Sequence, residues 1–129
     1  MTLLTLSPLI VLLPVLVIAV TAVKNGGVMK RRAWVIAAVF CAAFTIWTVM
    51  SFFNEGLMGL WTTISQSFWD NQVWFDLLFA LSIGWILILP RAKAVGMNLV
   101  PWFLFIFCSG SVGFSAMFAR LLFLEKSKA

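Results

Sequence analysis

The sequence contains no histidine. That removes the usual protein ligand for haem, zinc and copper, and the commonest general base. A serine nucleophile activated by histidine goes with it. Cysteine is scarce as well. Cys41 and Cys108 fall in different apolar stretches, and inside lipid each reads as a small hydrophobe rather than as half of a structural disulfide. No Cys/His cluster can be assembled, so neither a metal nor a cofactor is expected. Charge is thin: 10% of residues are charged and 64% are hydrophobic, where a soluble domain carries about 25% charged residues. Such a chain has too little polar surface to cover itself in water.

Other absences narrow the function further. No lysine lies in the middle of an apolar run, which argues against a retinal-type Schiff base. Gly26-Gly27 sits beside cations, but the Walker spacing is missing, so a turn and a topology signal explain that loop. No polar stripe passes through several segments, as a monomeric pore would need. The net charge of +5 does not point to nucleic acid. Its cations lie beside apolar runs, where they report orientation and contact with anionic headgroups. The lipid bilayer is the expected partner, with other membrane subunits or a lipid or isoprenoid as further ones.

What is present is a succession of apolar segments at about residues 3–23, 33–53, 72–89 and 99–124, each near the length that crosses a hydrocarbon layer of about 30 Å. The expected fold is therefore an all-α membrane protein. It is a four-transmembrane-helix bundle in one integral membrane domain, residues 1–129, with a short interfacial amphipathic helix between its second and third spans. The first segment has no basic residue before it and exceeds a typical signal core, so it reads as an uncleaved span. Pro8 lies near its start, and Pro14 predicts a kink. Trp34 and Trp102 open the second and fourth segments at headgroup level. Thr45 and Thr48 can bond back to the preceding turn, and Pro101 is tolerated in a first turn. Leu57, Leu60, Trp61, Ile64 and Phe68 recur at helical spacing and predict the interfacial helix. It would lie over the bundle end or cap a lipid-facing pocket.

Cation counting sets the orientation. Lys24, Lys30, Arg31 and Arg32 fill the first loop and Arg91 and Lys93 the third, while the second holds Glu55 and Asp70 and no cation. The positive-inside rule then puts the first and third loops in the cytoplasm and both termini outside the inner (plasma) membrane.

Two charges stand inside apolar segments, Asp76 in the third and Arg120 in the fourth. If these segments are antiparallel neighbours, both residues lie about 6–8 Å below their helix ends. Asp76, Ala80 and Gly84 share one face; Ser109, Gly113, Ala116 and Arg120 form a stripe on the other. The expected register sets Asp76 against Arg120, Ala80 near Ala116, and Gly84 near Gly113, with small residues allowing close approach. An ion pair that locks register is one reading, because an unpaired charge at that depth is costly. The sharper one makes Asp76 a proton donor or ligand contact tuned by Arg120. Ser109, Gly110, Gly113 and Ala116, with Ala80 and Gly84, also outline a groove for a neighbouring helix or a lipid or isoprenoid tail.

The stretch from Asp76 to Glu125 resembles a bacterial family of short membrane proteins known as a domain of unknown function. Asp76-Leu77-Leu78 opening a span, Gly96-Met97 ending the basic loop, Pro101 at the next helix start, and Val112-Gly113-Phe114-Ser115-Ala116 carry the likeness. The chain departs from it where a proline is expected in the last helix and residues 117–120 stand instead. By analogy, such proteins connect with membrane-embedded terpene cyclases, whose acids protonate an isoprenoid. Two functions are thus expected. One is a small non-enzymatic membrane protein, either an accessory subunit of a membrane complex or a lipid- or isoprenoid-binding bundle. The alternative is an enzyme on a lipophilic substrate, with Asp76, Glu55 or Asp70 as general acid.

Overall fold

A computed structural model describes residues 3–24 and 33–128. Most of the expected first loop, with Gly26, Gly27, Lys30, Arg31 and Arg32, lies outside the described residues. The chain is all-α and divides into two compact units, the first made of residues up to Arg32. Its helix, α1 (Leu3–Lys24), runs through both Pro8 and Pro14.

The second unit holds four helices: α2 (Ala33–Ser65), α3 (Phe68–Ala94), α4 (Leu99–Ser109) and α5 (Ser111–Lys128). Among the described residues, α2 and α3 are the helices long and apolar enough to cross a membrane. Within α2 the hydroxyls of Thr45 and Thr48 donate to the carbonyls of Cys41 and Phe44, four residues back, at 2.7 and 2.8 Å. Polar side chains are thereby satisfied without a partner helix. Gly56, at φ 66° and ψ −176°, interrupts the helical backbone. Of the pattern expected of a separate helix, Leu57, Leu60, Trp61 and Ile64 occupy the piece of α2 beyond this break, whereas Phe68 opens the next helix.

α3 is longer than the apolar run that signals it. It begins at Phe68 because Ser67 caps it: the Ser67 hydroxyl accepts the Asp70 N–H at 3.1 Å and donates to the Asp70 carboxylate at 2.7 Å. One orphan amide of the first turn is satisfied this way. At its other end α3 passes through Pro90 to Ala94. Its close is a Schellman arrangement, with Met97 N–H on the Ala92 carbonyl and Gly96 N–H on the Lys93 carbonyl, both at 3.0 Å. Gly96 takes the left-handed φ of +78° that this cap requires.

The expected fourth span, residues 99–124, is not one helix. Gly110, at φ 61° and ψ −123°, ends α4 after 11 residues, about 16 Å of helix and half of what a crossing needs. α5 then folds back along α4. A Cβ on Gly113 would lie 2.9 Å from the Ile106 backbone, although these residues would stand about 10 Å apart in a continuous helix. Glycine at 113 is what lets the two arms touch.

The returning arm runs parallel to α3 and antiparallel to α2. Glu125 meets Arg91 at 2.6 Å, Lys128 Nζ donates to the Ala94 carbonyl at 3.3 Å, and Phe114 packs on Gly84. On the other side Trp34 meets Phe123 with ring centroids 5.4 Å apart, and the Cys41 thiol donates to the Val112 carbonyl at 3.5 Å. The core forms where the hairpin joins α3, from Ile88, Ala92, Ile106, Met117 and Leu121. Residues 91–98 and the C-terminal tail therefore lie at the same end of this unit. The expectation that the tail sits on the opposite face from the third loop is overturned by the fold-back at Gly110.

Candidate functional site

The hairpin gathers the described cations of this unit, with Glu125, at one end. Arg91 Nε and Nη2 donate to the two Glu125 oxygens at 2.8 and 2.6 Å, a two-pronged geometry that guanidinium and carboxylate match well. Arg91 stands in the last turn of α3, and Lys126 and Lys128 in the last turn of α5, where cations favour the negative end of the helix dipole. Beside this pair runs a row of alternating charge and ring. Lys126 Nζ lies 6.0 Å from the Trp34 ring centre, Trp34 meets Phe123 edge-on, and the Arg120 guanidinium lies 5.8 Å from the Phe123 centre. Such cation–ring contacts contribute about 0.5–1 kcal/mol each at exposed sites. The Trp34 indole Nε1 is buried with no acceptor among the described residues.

This arrangement revises the expected site. Asp76 and Arg120 do not meet. Because α5 runs with α3 rather than against it, Arg120 falls near the Arg91 end. Asp76 lies fifteen residues before Arg91 on α3 and Arg120 five residues before Glu125 on α5, so Asp76 and Arg120 are separated along the bundle by roughly 15 Å. Asp76 and Arg120 are both exposed. The register-locking ion pair among the described residues is Arg91 with Glu125.

The expected groove is largely filled by the chain itself. Phe114 occupies the space beside Gly84, with its ring tip 2.7 Å from where a Cβ would stand. Gly113 is buried against α4. The Ser109 and Ser115 hydroxyls bond back to the Phe105 and Ser111 carbonyls. Gly110 is the hinge of the hairpin, Ala116 is half-buried on α5, and Ala80 is exposed on α3. Of the carboxylates, Asp70 is held in the α3 cap, and Glu55 is exposed just before the Gly56 break.

Sequence reasoning missed the Arg91–Glu125 pair and the row through Trp34 and Phe123. Both depend on the reversal at Gly110. The cluster Ser109-Gly110-Ser111 followed by Gly113 was the available signal, since glycine and serine interrupt a helix more readily than they extend it. Against known protein-family models, curated proteins and solved structures, the chain finds no match.

Proposed function

We propose that this is a small non-enzymatic integral membrane protein of the inner membrane that works as a lipid-binding bundle. The observation that carries this reading is the half-filled second unit. The first turn of α5 stands level with Cys41 and Gly84. Beyond that level α2 and α3 continue without the hairpin. Phe44, Ile46, Val49, Phe52 and Phe53 on α2 and Val73, Phe75, Phe79 and Ile83 on α3 are exposed there. A surface of this kind suits acyl chains, and α2 and α3 have the length and composition of spans.

Charge supports an orientation. Arg91, Lys93, Arg120, Lys126 and Lys128 crowd one end of the second unit, and the sequence adds Lys30, Arg31 and Arg32 just before Ala33. Glu55, Asp70 and Asp76 stand toward the other end. The positive-inside rule then sets the basic end and the C-terminus in the cytoplasm, with α4 and α5 as a re-entrant hairpin that enters one leaflet and returns.

Asp76 keeps the second reading in view. It is an exposed acid on the apolar, uncovered part of α3, and ionisable residues at membrane depth are often functional. As an enzyme the chain would use Asp76 to protonate a lipophilic substrate.

Native mass spectrometry of the full chain, extracted gently from its own membrane, tests both readings. Retained lipid on wild type and on Asp76→Asn alike supports the bundle. A product-like isoprenoid that disappears in Asp76→Asn supports the enzyme. A stoichiometric protein partner with no retained lipid contradicts the lipid-binding role and supports an accessory subunit.

A further inference from the structure

We propose that the row Lys126–Trp34–Phe123–Arg120 is a binding site for the phosphate of an anionic phospholipid in the leaflet that holds the hairpin. The inference rests on the membrane reading above and names the lipid class. The first argument is charge complementarity. Both oxygens of Glu125, the acid at this end, are taken by Arg91, so Arg120 and Lys126 have no carboxylate beside them among the described residues. Their contacts are with rings, which accept no conventional hydrogen bond and leave N–H donors on both cations for an anion.

The helix dipole does not account for the arrangement by itself. It acts within the last turn, which covers Lys126 and Lys128, whereas Arg120 lies two turns before the end of α5. An exposed arginine at that depth, on a helix reading as membrane-inserted, extends its stem toward the headgroups. Phe123 fixes where the guanidinium goes. The Trp34 ring then stands at the level where indoles favour the interface, with Phe123 packed against it. Two cations flanking two rings thus present donors to the headgroup layer and an apolar surface to the first methylenes of an acyl chain. A two-tailed phosphodiester with no cation of its own matches both. A choline headgroup would bring a third positive charge to Arg120 and Lys126, and free phosphate matches only the cations.

The test is lipid titration of the full chain in an uncharged detergent, read by native mass spectrometry. Phosphatidylglycerol is compared with phosphatidylcholine of the same chains. Wild type is expected to prefer phosphatidylglycerol. Arg120→Gln and Lys126→Gln should each weaken that preference about fivefold, near the contribution of one interfacial cation, and Arg120→Lys should restore most of it. Lys93→Gln, at the same end but outside the row, should change it less than twofold. Helicity by circular dichroism confirms that each variant is folded. Equal weakening by Lys93→Gln would show diffuse attraction and overturn the site. Displacement of the lipid by millimolar inorganic phosphate would overturn the lipid assignment in favour of a free-anion site. A wild-type chain that shows no preference yet resists alkaline extraction overturns the row and leaves the membrane reading standing. Release by alkaline extraction overturns both.

Discussion

Arg91 and Glu125, 34 residues apart in sequence, close a two-pronged ion pair between the ends of two helices that run in the same direction. Parallel neighbours in so short a chain require two reversals between them; residues 95–98 make the first and Gly110 the second. The pair is therefore a marker of topology more than a source of stability. Its side chains are 45% and 31% exposed, a setting in which ion pairs contribute little in water. Glu125→Gln should destabilise the protein by about 0.2–1 kcal/mol, measured by thermal unfolding in detergent, with a double-mutant cycle against Arg91→Met giving a coupling of the same size. A loss of several kcal/mol would mean that the pair is far drier than its exposure indicates.

The glycines of the hairpin should not be equivalent. Gly113→Ala places a methyl 2.9 Å from the Ile106 backbone, which cannot swing aside. Overpacking of that kind costs about 1–3 kcal/mol. Gly84→Ala meets the far end of the Phe114 ring instead, and that ring can turn. The intrinsic gain of alanine over glycine in a helix, up to about 1 kcal/mol, offsets the remaining crowding. Denaturation of the two variants in the same detergent should rank Gly113→Ala well below Gly84→Ala, which should lie close to wild type.

Gly110→Ala acts on conformation rather than space. Nothing lies within 4 Å of a Cβ at this position, but its φ of 61° with ψ −123° is a backbone state that L side chains rarely adopt. The substitution should cost about 1–3 kcal/mol and bias residues 106–114 toward a continuous helix. Amide hydrogen exchange should show new protection at Ser111 and Val112. Unchanged exchange with unchanged stability would mean that the hairpin does not depend on this glycine.

Ser67→Ala removes both roles of one hydroxyl, acceptor for the Asp70 amide and donor to its carboxylate. Loss of such a cap costs about 0.5–2 kcal/mol. The effect should be local, with faster exchange at residues 69–71 and no change in the Ile88, Met117 and Leu121 core. Uniform acceleration through α3 would indicate that the cap holds the whole helix.

The helical class, two of the four expected apolar spans (in α2 and α3) and the satisfied hydroxyls of Thr45 and Thr48 were legible because they follow from local chemistry. An apolar run and a hydroxyl four residues from a carbonyl need no tertiary information. The direction of α5 was not legible in that way. Residues 99–124 have the length and composition of one span, and composition does not distinguish one crossing helix from two short arms. Gly110 and Gly113 were visible as small residues, but their reading as a groove assumed a straight helix. One wrong direction then displaced the rest: it paired Asp76 with Arg120, hid Glu125 from Arg91, and sent the tail to the far face. Phe114 beside Gly84 shows how near the lateral placement came even so, since the anticipated contact partner was the adjacent Gly113.

Cysteine cross-linking in a background with Cys41 and Cys108 replaced by alanine tests the reversal at Gly110 most directly. The pair Arg91→Cys with Glu125→Cys, whose native side chains meet tip to tip, should be joined in membranes by a bis-methanethiosulfonate linker of about the length of an arginine–glutamate contact, since a direct disulfide needs closer backbones. The product is seen as the intact-mass gain of one linker. Asp76→Cys with Arg120→Cys should stay unlinked under the same conditions. The opposite pattern would mean that residues 99–124 cross the membrane as one antiparallel helix, and the hairpin, the basic end and the cytoplasmic C-terminus would fall together.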